Sequence, residues 1–249
     1  MNPFKRKIMK EIRFFYVPKA AERTDLPDDE AMHALRVLRL RSGDKMCLMD
    51  GEGVYYDAEV DIAATRRCTY KILTSNPQEP QWKGRMNIVM APTKSMDKIE
   101  WMAEKATEIG INSFSFINCK QSERKVLRTV RLDKIVVAAM KQSHKPWKPL
   151  VGQMEAFKQF ISTPRPGRKF ICHCQEGFED KYLFDCLRTP EIGEDEDIWV
   201  LIGPEGDFTS EEVEQAMAEG YQPVTLGPSR LRTETAALYA VSMFQLAQK

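Results

Sequence analysis

From residue 86 onward, short apolar-rich runs, the clearest at 86–90 and 198–202, alternate with stretches of helical period. No other feature of this sequence constrains its fold as much. A solid apolar run suits a strand buried on both faces, and strands that alternate with amphipathic helices suit a parallel sheet with helical crossovers. The runs fall at 86–90, 114–117, 168–174, 198–202 and 223–226. Met96, Ile99, Met102, Ala103, Ala106 and Ile109 share one helical face and Gly110 follows them, which predicts a helix over 96–109 with a glycine stop. Further helices are predicted over 132–143, 181–187, 211–219 and 233–248, with Thr209 or Ser210 capping the one over 211–219.

The first 75 residues follow a different grammar. Predicted strands at 13–17, 45–49, 54–62 and 67–74 are separated by turns such as Ser42-Gly43-Asp44 and Asp50-Gly51-Glu52-Gly53. One helix is predicted over 31–38, with Asp28 as its N-cap. The pattern predicts a small, mostly antiparallel sheet closed as a β-barrel. Residues 75–85 (SNPQEPQWKGR) hold two prolines and a glycine without an apolar period. The domain boundary is therefore placed there, with a barrel domain at 1–75 and an α/β domain at 86–249.

Composition narrows the function. No apolar run approaches the ~18 residues of a membrane span, and no apolar core follows the basic opening segment, so it is not read as a secretory signal. The six cysteines form no CxxC pair and are expected to be reduced thiols in a cytoplasm. Cys172-His173-Cys174 with Cys186 lacks a second clustered pair, so no metal is expected. A net charge of +1 hides strong asymmetry. Residues 119–148 carry nine Lys and Arg against two Asp and Glu, and residues 176–219 carry fifteen acids against two cations. The basic stretch suits a phosphate backbone; it equally suits a solvated face, and charge alone does not choose.

Two loops carry the candidate chemistry. In Leu201-Ile202-Gly203-Pro204-Glu205-Gly206 a buried strand runs into a proline-stiffened, glycine-flanked turn, followed by Asp207 and a capped helix. Open α/β sheets bind ligands at the carboxyl ends of their strands, although a tight strand–helix turn with a surface acid gives the same pattern. In Leu226-Gly227-Pro228-Ser229-Arg230-Leu231-Arg232 a second strand meets a Gly-Pro loop before the helix that opens with Thr233 and Glu234, which supply first-turn capping chemistry. Arg230 and Arg232 sit where a cation opposes the helix macrodipole, and such local violations often mark function; surface pairing with acids is the other reading. The sequence contains no GxxxxGK[ST], no GxGxxG after a strand, no GxSxG and no HExxH. Phosphate-loop, dinucleotide, hydrolase-elbow and zincin chemistry therefore have no support.

Taken together, these segments resemble the knotted (SPOUT-class) ribosomal RNA methyltransferases, and within them the bacterial 16S ribosomal RNA uridine-N3 methyltransferases. Besides the two loops, the resemblance runs through Arg13-Phe14-Phe15, His33 with Val37-Leu38-Arg39, residues 104–110 (EKATEIG), Ser122-Glu123-Arg124, Gln142-Ser143 and the terminal Thr233-Glu234-Thr235-Ala236. It implies a PUA-like β-barrel that binds RNA, followed by an α/β domain tied in a trefoil knot, which general topology rules would not have suggested. It implies S-adenosylmethionine held by Leu201, Ile202, Gly203, Pro204, Glu205, Gly206, Leu226, Gly227, Pro228, Ser229, Arg230 and Leu231, with the stretch at His173 and Cys174 as a third wall. A homodimer acting on the small ribosomal subunit follows from the same likeness. For catalysis, Arg232 is the first candidate and Arg230 the second, each to stabilise charge on the uracil ring. Glu205 is the candidate to orient the base or take its proton, or else to fix the loop. Arg13, Arg36 and Arg39 of the barrel, with Arg124, Lys125 and Arg128 of the basic stretch, are the expected RNA contacts. The sequence departs from the pattern at Asp207, where many members carry glycine, and at Met140-Lys141 and His144-Lys145. Two other readings use the same features: a knotted methyltransferase acting on a different RNA, and a non-catalytic RNA-binding protein, which would not need the paired Gly-Pro loops.

Overall fold

The structure, a computed structural model, describes residues 13–178 and 181–248. The basic opening through residue 12 and two acids of the acidic run, Glu179 and Asp180, lie outside the described residues. The chain divides into two compact units. One comprises the described residues to Pro80 together with Met140–Lys148; the other comprises Gln81–Ala139 and the chain from Pro149 onward.

In the first unit, β1 (Phe14–Tyr16), β2 (Lys45–Met49), β3 (Val54–Ala63) and β4 (Cys68–Pro77) form one sheet in chain order. β1 and β2 run parallel and the other pairs are antiparallel, as the turn spacing predicts. Phe15, Leu48, Ala58, Val60 and Tyr70 fill its core. The expected 31–38 helix differs in detail. α1 spans Asp28–Met32, and a wider π-type turn carries the chain on over His33–Val37. Asp28 is its first residue rather than its cap, because the carbonyl of Pro27 already accepts the Ala31 N–H at 2.8 Å. The segment Met140–Lys148 is held to this unit by local contacts. Tyr55 donates to the His144 carbonyl at 2.5 Å, Phe14 stacks on the His144 ring at 4.3 Å, and Lys148 N–H donates to the Gly51 carbonyl at 2.9 Å.

The second unit is built on seven parallel strands in the order β7-β6-β5-β10-β8-β11-β9. Their ranges are β5 Arg85–Met90, β6 Ser113–Asn118, β7 Leu150–Ala156, β8 Arg168–Cys172, β9 Lys181–Tyr182, β10 Asp197–Ile202 and β11 Gln222–Thr225. Successive strand residues enter opposite cores, as the period of two requires. Met86, Ile88 and Met90, Phe170 and Cys172, and Ile198, Val200 and Ile202 face one core, covered by α2 (Met96–Ile109), α3 (Val130–Gln142), α5 (Leu183–Arg188) and α7 (Thr233–Leu246). Val89, Ile171 and Leu201 face the other, under α4 (Phe157–Ser162) and α6 (Ser210–Ala218). The α/β expectation is thus met by a sheet covered on both sides.

Three details differ from the sequence expectation. β7 and α4 were not foreseen, because β7 is an edge strand with no fully buried residue and no apolar run to announce it. The run at 168–174 is a strand only to Cys172, which leaves His173 and Cys174 in the following loop. The segment 181–187 begins as strand and turns helical at Leu183.

Candidate functional site

β10, β8 and β11 are adjacent, so the loops leaving their carboxyl ends emerge side by side. Between these loops lies a cavity of about 390 Å³, within the size range of small-molecule sites. Its walls combine apolar side chains (Ile202, Leu226, Leu231, Ala236) with main chain of both Gly-Pro loops.

The loop after β10 is fixed from several directions. Phe208 is fully buried against Phe157, their rings 5.6 Å apart, which anchors its far end. Thr209 then caps α6 in a reciprocal capping box with Glu212, which settles the choice between Thr209 and Ser210. Asp207 has a φ of +69°, the left-handed region that favours glycine. Its carboxylate offsets that cost locally. Oδ1 accepts from the Phe208 N–H at 2.8 Å, and Oδ2 accepts from the Cys174 N–H at 2.8 Å and from Gln175 Nε2 at 3.3 Å. Asp207 thereby ties the β10 loop to the β8 loop. Gly203 is needed for space, because a Cβ there would lie 3.1 Å from the Phe208 ring and main-chain nitrogen.

Glu205 is exposed, and its Oε1 accepts the Lys94 N–H at 3.0 Å. Arg124 holds the same segment from the other side, donating to the Thr93 carbonyl at 2.9 Å and to the Lys94 carbonyl. The loop after β5 is therefore clamped between an acid and a guanidinium. In the β11 loop, Gly227 has a φ of +116°, which a side chain would strain. Beside it stands Tyr182, whose pKa is raised chiefly by its hydrogen bond with Tyr239.

Of the sequence-predicted ligand residues, His173, Ile202, Gly203, Pro204, Glu205, Leu226, Gly227, Ser229, Arg230 and Leu231 line the cavity together with Arg232. Leu201, Gly206 and Pro228 do not. Leu201 points into the opposite core by strand alternation, Gly206 faces Gln121, and Pro228 is exposed. Arg230 and Arg232 are exposed at the rim, and Arg232 is the N-cap of α7 with no side-chain cap bond. The first-turn capping expected of Thr233 and Glu234 is therefore not made. Glu234 is buried instead, with Oε1 3.4 Å from Lys98 Nζ, and both residues line the cavity. Sequence reasoning missed Lys98, Thr225 and the cavity-lining position of Glu234. For Glu234, a buried carboxylate in a first turn without a cap to serve, the only signal was its place beside Arg232.

The expected RNA contacts separate by setting. Arg13, Arg36 and Arg39 are exposed on the first unit, with Arg13 Nη1 donating to the Leu38 carbonyl at 3.1 Å. Arg128 is exposed on the second; Lys125 is exposed there too, with Nζ donating to Asn118 Oδ1 at 3.3 Å and to the Cys119 carbonyl at 3.4 Å, and Arg124 is occupied by the main-chain clamp. No His/Cys/Asp/Glu group among the described residues has the arrangement to hold a metal, and no described helix is long and apolar enough to cross a membrane.

Comparison with known proteins gives two family matches: an RNA methyltransferase domain over residues 80–245 and an RNA methyltransferase PUA domain over residues 26–73. The chain is 38% identical to a probable rRNA-methyltransferase of Porphyromonas gingivalis, with a TM-score of 0.86 over 95% of this chain and 98% of that one. It is 27% identical to a ribosomal RNA small subunit methyltransferase E of Neisseria gonorrhoeae solved with bound S-adenosyl methionine, with a TM-score of 0.82 and the same shares covered. The Bacillus subtilis ribosomal RNA small subunit methyltransferase E is 25% identical over 86% of each chain.

Proposed function

The chain belongs to the RNA methyltransferase family, and we propose that it methylates N3 of a uridine in the 16S ribosomal RNA of the small subunit, using S-adenosylmethionine. The observation that supports this most directly is the convergence of both Gly-Pro loops and the β8 loop on one cavity. That cavity fits the donor in kind. It has apolar walls for a purine, main-chain groups for its polar edge, and a glycine where a Cβ would crowd the loop. Of the relatives above, the Neisseria gonorrhoeae protein was solved with that donor.

When bound, S-adenosylmethionine supplies a methyl group on a sulfonium sulfur. The chain's own residues must hold the acceptor base in line with that methyl and stabilise the charge that develops on the ring. Gly203, Pro204, Leu226, Gly227 and Leu231 hold the donor, with His173 on the third wall. Arg232, at the rim, offsets negative charge on the uracil oxygens, and Arg230 is its second. Glu205 fixes the loop through Lys94 rather than taking a proton. Arg13, Arg36, Arg39, Lys125 and Arg128 meet the phosphate backbone, and the target uridine leaves its stack to enter the cavity. Two copies of the chain act as a homodimer in the cytoplasm, and the last segments thread as the trefoil knot of this class.

The test uses S-adenosylmethionine carrying a labelled methyl group, the purified chain, and small subunits lacking the modification. Digestion to nucleosides is expected to yield labelled 3-methyluridine from 16S ribosomal RNA. Label in another nucleoside or only in another RNA refutes the substrate, and no label with intact donor binding refutes the activity.

A further inference from the structure

We infer that Glu234 is the group that takes the N3 proton of the uridine, with Lys98 and Arg232 as donors to the flanking ring oxygens; this rests on the uridine methylation proposed above. The N3–H of uracil lies between two carbonyl oxygens. A site that reads this edge presents an acceptor between donors, a pattern that cytosine, with its exocyclic amine and bare N3, does not match.

Three carboxylates line the cavity: Glu205, Asp207 and Glu234. Asp207 has both oxygens engaged, Oδ1 by Phe208 N–H within its own loop and Oδ2 by Cys174 N–H across to the β8 loop. Glu205 is exposed and holds the Lys94 N–H. Glu234 differs from both. Its side chain is only 8% exposed, Lys98 Nζ stands 3.4 Å from Oε1, and Oε2 is buried with no hydrogen-bond partner. A buried acceptor without a partner is rare in a folded chain and calls for an explanation, and on a residue that lines a cavity a catalytic role is one. His173 does not compete as an acceptor. Its Nδ1 already accepts the Gln175 N–H at 3.1 Å, so in the neutral ring the proton is assigned to Nε2.

The remaining groups of the cavity complete the pattern. Lys98 comes from the first turns of α2 and supplies the countercharge to Glu234. Arg232 is two residues before Glu234 and lines the same cavity, as do Arg230, Cys172 and Cys174. In the step itself, N3 gives its proton to Glu234 Oε2 and forms a bond to the methyl carbon. The bond from that carbon to the sulfonium sulfur breaks, and its electron pair stays on sulfur as a neutral thioether. One positive and one negative charge disappear together, and the carboxylic acid then returns its proton to water.

The experiment is single-turnover methylation of undermodified small subunits across a pH series, with calorimetry of S-adenosylmethionine binding in parallel, on the wild type, Glu234→Gln and Glu234→Asp. Glu234→Gln is expected to bind the donor as the wild type does and to lose roughly 10²–10⁴ in rate at neutral pH. Its rate should then climb roughly tenfold per pH unit as uridine ionises unaided, so that the gap to the wild type closes in alkali. Glu234→Asp, which keeps a carboxylate, falls between the two. A gap that stays constant with pH, a wild-type rate for Glu234→Gln, or weakened donor binding with an unchanged rate at saturation each overturns the assignment. If neither variant folds, the wild type alone decides. Its rate should level off in the neutral range, and a rate still rising log-linearly with pH through that range overturns an enzymic acceptor. Failure of the wild type to form 3-methyluridine refutes the proposed function instead, whereas normal product from Glu234→Gln refutes only the role of Glu234.

Discussion

Asp207 gives the sharpest test of how this site is held together, because one residue carries two opposed terms. Its φ of +69° costs an ordinary L residue roughly 1–2 kcal/mol relative to glycine. Against that stand two short hydrogen bonds to an ionised acceptor, from Phe208 N–H and Cys174 N–H, each 2.8 Å, and a longer one from Gln175 at 3.3 Å. A hydrogen bond to a charged group contributes roughly 1.5–3 kcal/mol. The two main-chain donors differ in their alternatives. Cys174 is exposed and its N–H turns to water, whereas Phe208 is fully buried and its N–H does not. Asp207→Ala keeps the strain and loses the bonds, and is expected to destabilise the chain by roughly 2–4 kcal/mol. Asp207→Gly loses the same bonds but relieves the strain, and recovers about 1 kcal/mol of that loss.

The expected stability order is therefore wild type, then Asp207→Gly, then Asp207→Ala, read by urea unfolding followed by circular dichroism. The order of the two variants tests the backbone conformation, and their common distance from the wild type tests the carboxylate. An alanine variant at least as stable as the glycine variant refutes the left-handed conformation. Two variants within about 0.5 kcal/mol of the wild type refute the tie between the β10 and β8 loops.

Gly203→Ala places a methyl group 3.1 Å from the Phe208 ring and nitrogen, and is expected to weaken S-adenosylmethionine binding about tenfold or more by calorimetry, a loss of about 1.4 kcal/mol; unchanged affinity would show that this loop does not form the donor wall. Arg232→Ala is expected to lower the single-turnover rate by about 10²–10³ with the donor affinity preserved, so a variant as fast as the wild type removes Arg232 from the reaction. Stability should also depend on alkali. Burial pushes the thiol of Cys47 from 9.0 up to about 12, and the hydroxyls of Tyr70 and Tyr221 from 10.0 up to about 12. These groups are protonated in both states below their ordinary values, so their contribution is whole there and is lost as pH rises from about 9 through 12. Urea midpoints that stay level across that window would contradict the burial of these groups.

What the sequence revealed and what it withheld follow one physical division. Features made by neighbouring residues were legible. The helix Met96–Ile109 with its Gly110 stop follows from a 3.6-residue period, the buried strands from solid apolar runs, and the two ligand loops from glycine and proline at strand ends. Features made by distant segments were not legible. Nothing in the spacing announces that Met140–Lys148 packs with the first unit, or that β7, an edge strand without a buried face, exists at all. The same division runs through the site. Its walls were read from the loops themselves, apart from Leu201, which strand alternation turns into the opposite core, Gly206, which faces Gln121, and the exposed Pro228. The Lys98–Glu234 pair joins the first turns of two helices far apart in sequence, brought together when α7 packs beside α2. Arg124 makes the same point from the opposite direction, because its charge suggested RNA while its guanidinium is occupied with the carbonyls of Thr93 and Lys94. A cation read from sequence is a candidate ligand contact only until the fold shows whether another part of the chain already holds it. By that criterion the arginines free for work at this cavity, among the described residues, are the rim pair Arg230 and Arg232, and the acid with a buried oxygen left without a partner is Glu234.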